Sequence, residues 1–292
     1  MRSHRLSLHR LLAVAAVALA CAPLAAGAES APKRIVSLSP TATEMLYAIG
    51  AGGQVVAVDD QSSYPRRAPR TRLSGFRPNA EAVARYRPDL VVVASDSNNV
   101  VGALRRLRIR VQVDPAARNL SDSYAQIRRL GVATGHAAAA DRVVRRMKRG
   151  VAQAVRSLPQ PRRPLTYYHE LDQNLFTATS KTFIGQVYGL LGLRNIADPA
   201  DKTGSGYPQL SAEFLIAANP DLVFLADTKC CGQNARTVAG RPGWDAIAAV
   251  QRGAVIPEDD DVASRWGPRI VDFLRDVARR VAPFQRAQSA VR

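Results

Sequence analysis

Two stretches decide how this chain folds: Glu81-Ala-Val-Ala-Arg-Tyr-Arg-Pro-Asp-Leu-Val91 and Glu213-Phe-Leu-Ile-Ala-Ala-Asn-Pro-Asp-Leu-Val223. The glutamate and the Pro-Asp-Leu-Val run recur at identical spacing, 132 residues apart. Each glutamate falls at the second position of a helix that Asn79 or Ser211 is placed to cap. Each block then enters an apolar run, residues 91–94 or 223–226, of the kind that forms a strand buried on both faces. One short helix, one Pro-Asp turn and one core strand are therefore expected in each half.

Working outward, the first half reads as strands over residues 34–38, 55–58, 90–94 and 109–113, with helices from Ser39-Pro40 to Gly50 and near residues 99–107. The second half reads as strands over 165–169, 222–226 and 254–256, with helices near 182–191, 244–250 and 268–281. Such alternation predicts an α/β protein of two lobes with mostly parallel sheets. Between them, residues 121–158 break once at Gly131–Gly135 and then run on as one helix to Ser157, roughly 30 Å long at 1.5 Å per residue, before Pro159, Pro161 and Pro164 end it. The expected plan is a signal segment (1–28), an N-terminal lobe (29–120), a linker helix region (121–158) and a C-terminal lobe (159–292), with a ligand cleft between the lobes.

The leader is read from Arg2, Arg5 and Arg10 ahead of the apolar residues 11–20 and the small-residue site Ala26-Gly27-Ala28. Ten apolar residues are too few to span about 30 Å of hydrocarbon, so cleavage near Ala28 and export to the periplasm or beyond are expected. Attachment of lipid at Cys21 is the other reading. The chain carries +17 overall, +14 without the leader. An exported chain meets no chromosomal DNA, and many arginines, such as Arg142, Arg145, Arg146 and Arg149, alternate with Val143, Val144 and Met147 on the solvated side of a helix. No nucleic-acid partner is expected.

Enzymatic apparatus is sparse. There is no Gly-x-x-x-x-Gly-Lys-[Ser/Thr] loop and no Gly-x-Ser-x-Gly elbow, and His169-Glu170 is not followed by a second histidine four residues on. Beyond the leader only His136, His169, Cys230 and Cys231 remain of their types. The adjacent cysteines either pair with each other or stay free.

Arg34-Ile-Val-Ser-Leu-Ser-Pro-Thr-Ala-Thr-Glu44, Ser63-Tyr64-Pro65, the two glutamate blocks and Arg265-x-x-Pro268-Arg269-Ile270 together resemble the exported solute-binding proteins of ABC importers for cobalamin and ferric siderophores, the helical-backbone class. The likeness covers essentially the whole chain after the leader. It implies a non-enzymatic monomeric receptor without resident cofactor, a small-molecule metal chelate in the cleft, and delivery to an ABC permease dimer in the membrane. It also implies that Glu81 and Glu213 sit exposed, one per lobe, and dock onto permease arginines; the competing reading is that an acid there only complements the helix dipole.

Cleft candidates are Ser39, Tyr64 and Phe76 in the first lobe and His169, Phe176, Tyr207, Arg265 and Trp266 in the second, since ligands of open α/β sheets sit beyond the strands' carboxyl ends and flat aromatic faces suit a corrin, haem or catecholate chelate. Between Gln61 and Ala80 lie five arginines (Arg66, Arg67, Arg70, Arg72, Arg77) and no acid, a lip suited to an anionic chelate unless it is simply a solvated surface or is neutralised by the acidic run Glu258-Asp-Asp-Asp261. His169 is expected to face the cleft, as a hydrogen-bonding group or as a metal ligand, alone or with Cys230 and Cys231. The alternatives to a chelate receptor are a transition-metal-ion receptor and, from another class, a secreted hydrolase.

Overall fold

The computed structural model describes residues 30–159 and 161–290. The expected signal segment and Cys21 lie outside them. The first lobe runs β1 (Ile35–Leu38), α1 (Pro40–Ala48), β2 (Val55–Val58), α2 (Ala80–Ala84), β3 (Leu90–Val93), α3 (Val100–Arg106) and β4 (Arg110–Val113). Two helices follow, α4 (Leu120–Thr134) and α5 (Ala137–Arg156). The second lobe runs β5 (Thr166–Glu170), α6 (Phe183–Leu190), β6 (Arg194–Asn195), α7 (Ala212–Ala218), β7 (Leu222–Leu225), α8 (Thr228–Cys231), α9 (Ala235–Ala239), α10 (Ala248–Gln251), β8 (Val255–Pro257), α11 (Asp260–Ala263) and α12 (Ile270–Ala290).

The strand orders are β2-β1-β3-β4 and β6-β5-β7-β8, with every pairing parallel. The repeated block accounts for this sameness. Its strand, β3 or β7, lies inside the sheet in each lobe, and all four residues of each are buried. Its aspartate ties the strand's start to the neighbouring strand: Asp89 accepts from the Arg34 amide at 3.0 Å, and Asp221 from the Thr166 amide at 2.9 Å. The capped glutamate helices form as read, with Asn79 accepting from the Ala82 amide and Ser211 from the Phe214 amide.

The break read at Gly131–Gly135 is there: α4 ends at Gly135 in the left-handed region (φ 78°) and packs on α5, the continuous helix that follows, whose buried face is Ala140, Val143, Val144, Met147, Gly150 and Ala154. Two expectations are corrected. The last helix begins at Ile270 and continues past Pro283, which removes only one donor from a helix held by Phe273, Leu274, Val277 and Val281 in the core. The two-residue strand β6 escaped the reading because periodicity cannot register so short an element. Among the described residues, no helix is long and apolar enough to cross a membrane.

Candidate functional site

Parallel strands end together, so the carboxyl ends of each sheet form one face, and in both lobes that face is polar. Asp59 follows β2 and Asp114 follows β4; Glu170 closes β5, Asp227 lies just beyond β7, and Glu258 follows β8. All five are buried.

The two faces meet through a bridge of side chains distant in sequence. Glu44 of α1, nearly buried, accepts from Arg265 Nη1 at 2.9 Å and from Arg269 at 2.7 Å (Nη2) and 3.1 Å (Nε). Arg265 also donates to the Gln61 carbonyl at 3.0 Å, to Ser63 Oγ at 3.3 Å and to Asp261 at 2.9 Å. Ser63 in turn donates to Asp261 at 3.2 Å. The Arg269 guanidinium lies 4.4 Å from the centre of the Tyr64 ring. These contacts join the two lobes, and Tyr64 with Glu44 and Arg269 lines a hollow shared with Val143 and Met147 of α5 and Val271 of α12.

Among the described residues, four large aromatics are exposed, two in each lobe. Phe76 is 79% exposed, Tyr207 53%, Tyr64 46% and Phe176 39%. Their placement is built in. A Cβ on Gly75 would sit 2.6 Å from the Leu38 carbonyl and 2.8 Å from Asp59 Oδ2, so only glycine lets the Phe76 loop lie this close on the ends of β1 and β2. In the second lobe Leu171, Phe176 and Gln209 continue a ladder from the end of β5: the Leu171 amide donates to the Phe176 carbonyl, and Phe176 pairs with Gln209. Gly206 turns the chain before Tyr207 at φ 82°, where a Cβ would lie 2.9 Å from Thr182 Cγ2.

The other expected cleft residues are engaged otherwise. Ser39 is buried and caps α1, accepting from the Ala42 amide at 3.3 Å. Trp266 is half-buried, its Nε1 donating to Gln126 Oε1 at 2.7 Å and its carbonyl accepting from Ser123, which fastens it to α4. His169 does not face the cleft: it is buried, with Nδ1 3.0 Å from Tyr188 Oη, and desolvation lowers its pKa to about 4. Its position on β5 explains this, because alternation turns it into the aromatic core of Tyr167, Tyr188 and Phe224. Cys230 and Cys231 are exposed and disulfide-bonded to each other. The idea of a metal site uniting them with His169 is thereby overturned, and among the described residues no group of three or more His, Cys, Asp or Glu could hold a metal ion.

Residues 61–80 carry arginines and no acid. Arg66, Arg67, Arg70, Arg72 and Arg77 are all exposed, and among the described residues none forms an ion pair. The acidic run does not neutralise them, being occupied within its own neighbourhood: Asp259 pairs with Lys229, Asp260 accepts amides of α8, and Asp261 pairs with Arg265.

Beneath the second lobe's face, Arg241 binds Glu170 through both oxygens at 2.6 Å, donates to Gln233 Oε1 at 2.8 Å and lies 4.6 Å from the Trp244 ring centre. Asp227 beside them is raised to about 7, by burial first and then by Glu170. Glu258, buried and then repelled by Asp276, is raised to about 8. An acid whose pKa is raised on folding stabilises the fold fully below its unfolded pKa of about 4.5 and loses that contribution as pH rises to its folded value. Stability in urea should therefore fall between pH 4.5 and about 8, and Glu258→Gln should flatten that fall. An unchanged slope in the variant would show that Glu258 is not its source.

Sequence reading missed Glu44, Ser63, Arg241 and Asp261 as members of this site. An acid just after an apolar strand run was the available signal for Asp227 and Glu258; nothing local marks the partners of Glu44.

The sequence profile of the periplasmic binding protein family matches residues 35–262. An uncharacterized ABC transporter substrate-binding lipoprotein of Bacillus subtilis is 30% identical over 261 residues, covering 86% of this chain and 81% of its own. A cobalamin-binding protein of Halobacterium salinarum is 35% identical over 259 residues, 86% of this chain and 69% of its own. Among solved structures, a possible iron-binding (periplasmic solute-binding) protein of Staphylococcus epidermidis superposes with a TM-score of 0.75 at 25% identity, covering 86% of this chain and 99% of that one.

Proposed function

The chain belongs to the periplasmic binding protein family, and from that premise we propose that it is the exported solute receptor of an ABC importer, gripping a large, flat metal chelate between its lobes. One observation carries the ligand class: large aromatics stand exposed on both lobes, Tyr64 and Phe76 on the first and Phe176 and Tyr207 on the second. Rings left in water this way gain free energy only when a second flat surface covers them. Corrinoids, haem and ferric catecholates offer such a surface. The relative that binds cobalamin supports the first, and the run of exposed arginines between β2 and α2 supports an anionic member of the class. The receptor works without catalysis and without a resident cofactor; the metal is cargo.

Delivery follows from the exposed glutamates. Glu81 and Glu213 lie at the capped starts of α2 and α7, one per lobe, and each of these helices leads back into an inner strand, which puts its start on the side where the strands end. Two equivalent acids flanking one cleft suit a two-fold symmetric permease with a cation in each half.

Titration of the purified protein with cyanocobalamin, haemin and a ferric catecholate, followed by absorption spectroscopy, tests the ligand class. Binding of at least one with micromolar or tighter affinity is expected. Phe76→Ala and Tyr207→Ala should each weaken it about tenfold, the effect of uncovering one aromatic face. No binding of any of the three would end the chelate reading.

A further inference from the structure

The acidic run that closes the inter-lobe bridge is anchored on the adjacent-cysteine turn. Thr228, Lys229 and Cys230, the first residues of α8, donate their amides to the Asp260 carboxylate at 3.0, 2.8 and 3.0 Å, and Thr228 Oγ1 adds a bond of 2.7 Å. Lys229 Nζ holds Asp259 at 2.5 Å and Asp261 at 3.4 Å. Asp261 carries the path to Arg265 and to Ser63, and Arg265 to Glu44, both partners of the first lobe. The route from the cysteines to the opposite lobe is thus continuous in hydrogen bonds and ion pairs.

A four-residue helix has no stability of its own, since nucleation costs more than its one or two bonds return. What holds α8 is Asp260 at its start and the Cys230–Cys231 bond at its end, followed by Gly232 at φ 68°. The bond closes a small ring around the peptide joining the two residues and so restricts its torsions. Both cysteines are exposed at the carboxyl end of β7, open to an attacking thiolate.

We propose that Cys230–Cys231 is a reversible redox modification site that sets the strength of the inter-lobe bridge. The reductant is a dithiol, small or carried by an exported oxidoreductase. Its thiolate attacks one sulfur, the Sγ–Sγ bond breaks, and a mixed disulfide forms; its second thiol resolves this, leaving two protein thiols and an oxidised dithiol. Two electrons and two protons pass to the protein. With the ring opened, α8 frays, Asp260 loses its amide partners, Lys229 no longer steadies Asp259 and Asp261, and the grip of Asp261 on Arg265 and Ser63 loosens. This rests on the exported-receptor reading, because a reducing cytosol would keep the pair open.

The test uses no ligand, so its failure leaves the receptor reading standing. In full-length protein isolated under oxidising conditions, the tryptic peptide 230–236 should be two hydrogens lighter than its dithiol form. Hydrogen–deuterium exchange is then compared before and after dithiothreitol, and in Cys230→Ser/Cys231→Ser. Amides of residues 228–230 should exchange about tenfold faster on reduction, and those of 61–63 and 261–265 several-fold faster, with α5 unchanged. Two free thiols in the oxidised protein, or unaltered exchange at 61–63 and 261–265 in reduced wild type, would overturn the proposal.

Discussion

Reversing both lobe-tip charges, Glu81→Arg with Glu213→Arg, is expected to abolish uptake of whichever chelate the protein binds while leaving its affinity in solution within about twofold. The two positions are exposed and their helices are capped by other side chains, Asn79 and Ser211, so the fold does not depend on the carboxylates. Complementing the helix dipole is worth only about 0.3–1 kcal/mol at each. Removing one partner of a charge pair buried at a docked interface costs about 2–5 kcal/mol, and reversal adds repulsion in both halves of the partner, so the double variant should lose productive docking altogether. Each single reversal should be partial. Uptake by cells carrying only the variant is the readout, with solution titration as the control; wild-type uptake from the double variant would remove the docking role.

The second large effect is on stability. Arg241→Ala strips the guanidinium bound to Glu170, which is fully buried, as is Asp227 beside it. Breaking a buried pair from one side costs about 3–5 kcal/mol, because an uncompensated charge stays in a low-dielectric interior. The loss should be greatest near pH 8 and shrink toward pH 5, where Asp227, already raised to about 7, is protonated and repels Glu170 no longer. Adding Glu170→Gln to Arg241→Ala should recover much of the loss, since it removes the stranded charge. Urea unfolding of the three proteins at both pH values checks this, and a single-variant loss below about 1 kcal/mol would show that water reaches Glu170.

The architecture was legible because its signals are local. The duplicated Pro-Asp-Leu-Val run marked the inner strand of each sheet, and Asn79 and Ser211 marked the helix starts, since capping and strand periodicity act within a few residues. His169 shows where such reading fails. Placement at the carboxyl end of a strand suggested the cleft, but which of two alternating faces a strand residue takes is set by what packs on the sheet, here Tyr188 and Phe224.

By itself, the sequence determined two matching α/β halves, the capped acidic knobs Glu81 and Glu213, the long basic-faced helix α5 and the aromatics Tyr64, Phe76, Phe176 and Tyr207. Only the tertiary structure decided that α4 folds back on α5, that Arg265 and Arg269 close on Glu44 more than two hundred residues away, and that Cys230–Cys231 leads through Asp260 and Asp261 into that bridge. Propensity and periodicity act between near neighbours along the chain, whereas polar pairs across a cleft exist only once both lobes have packed and excluded water from the carboxylates.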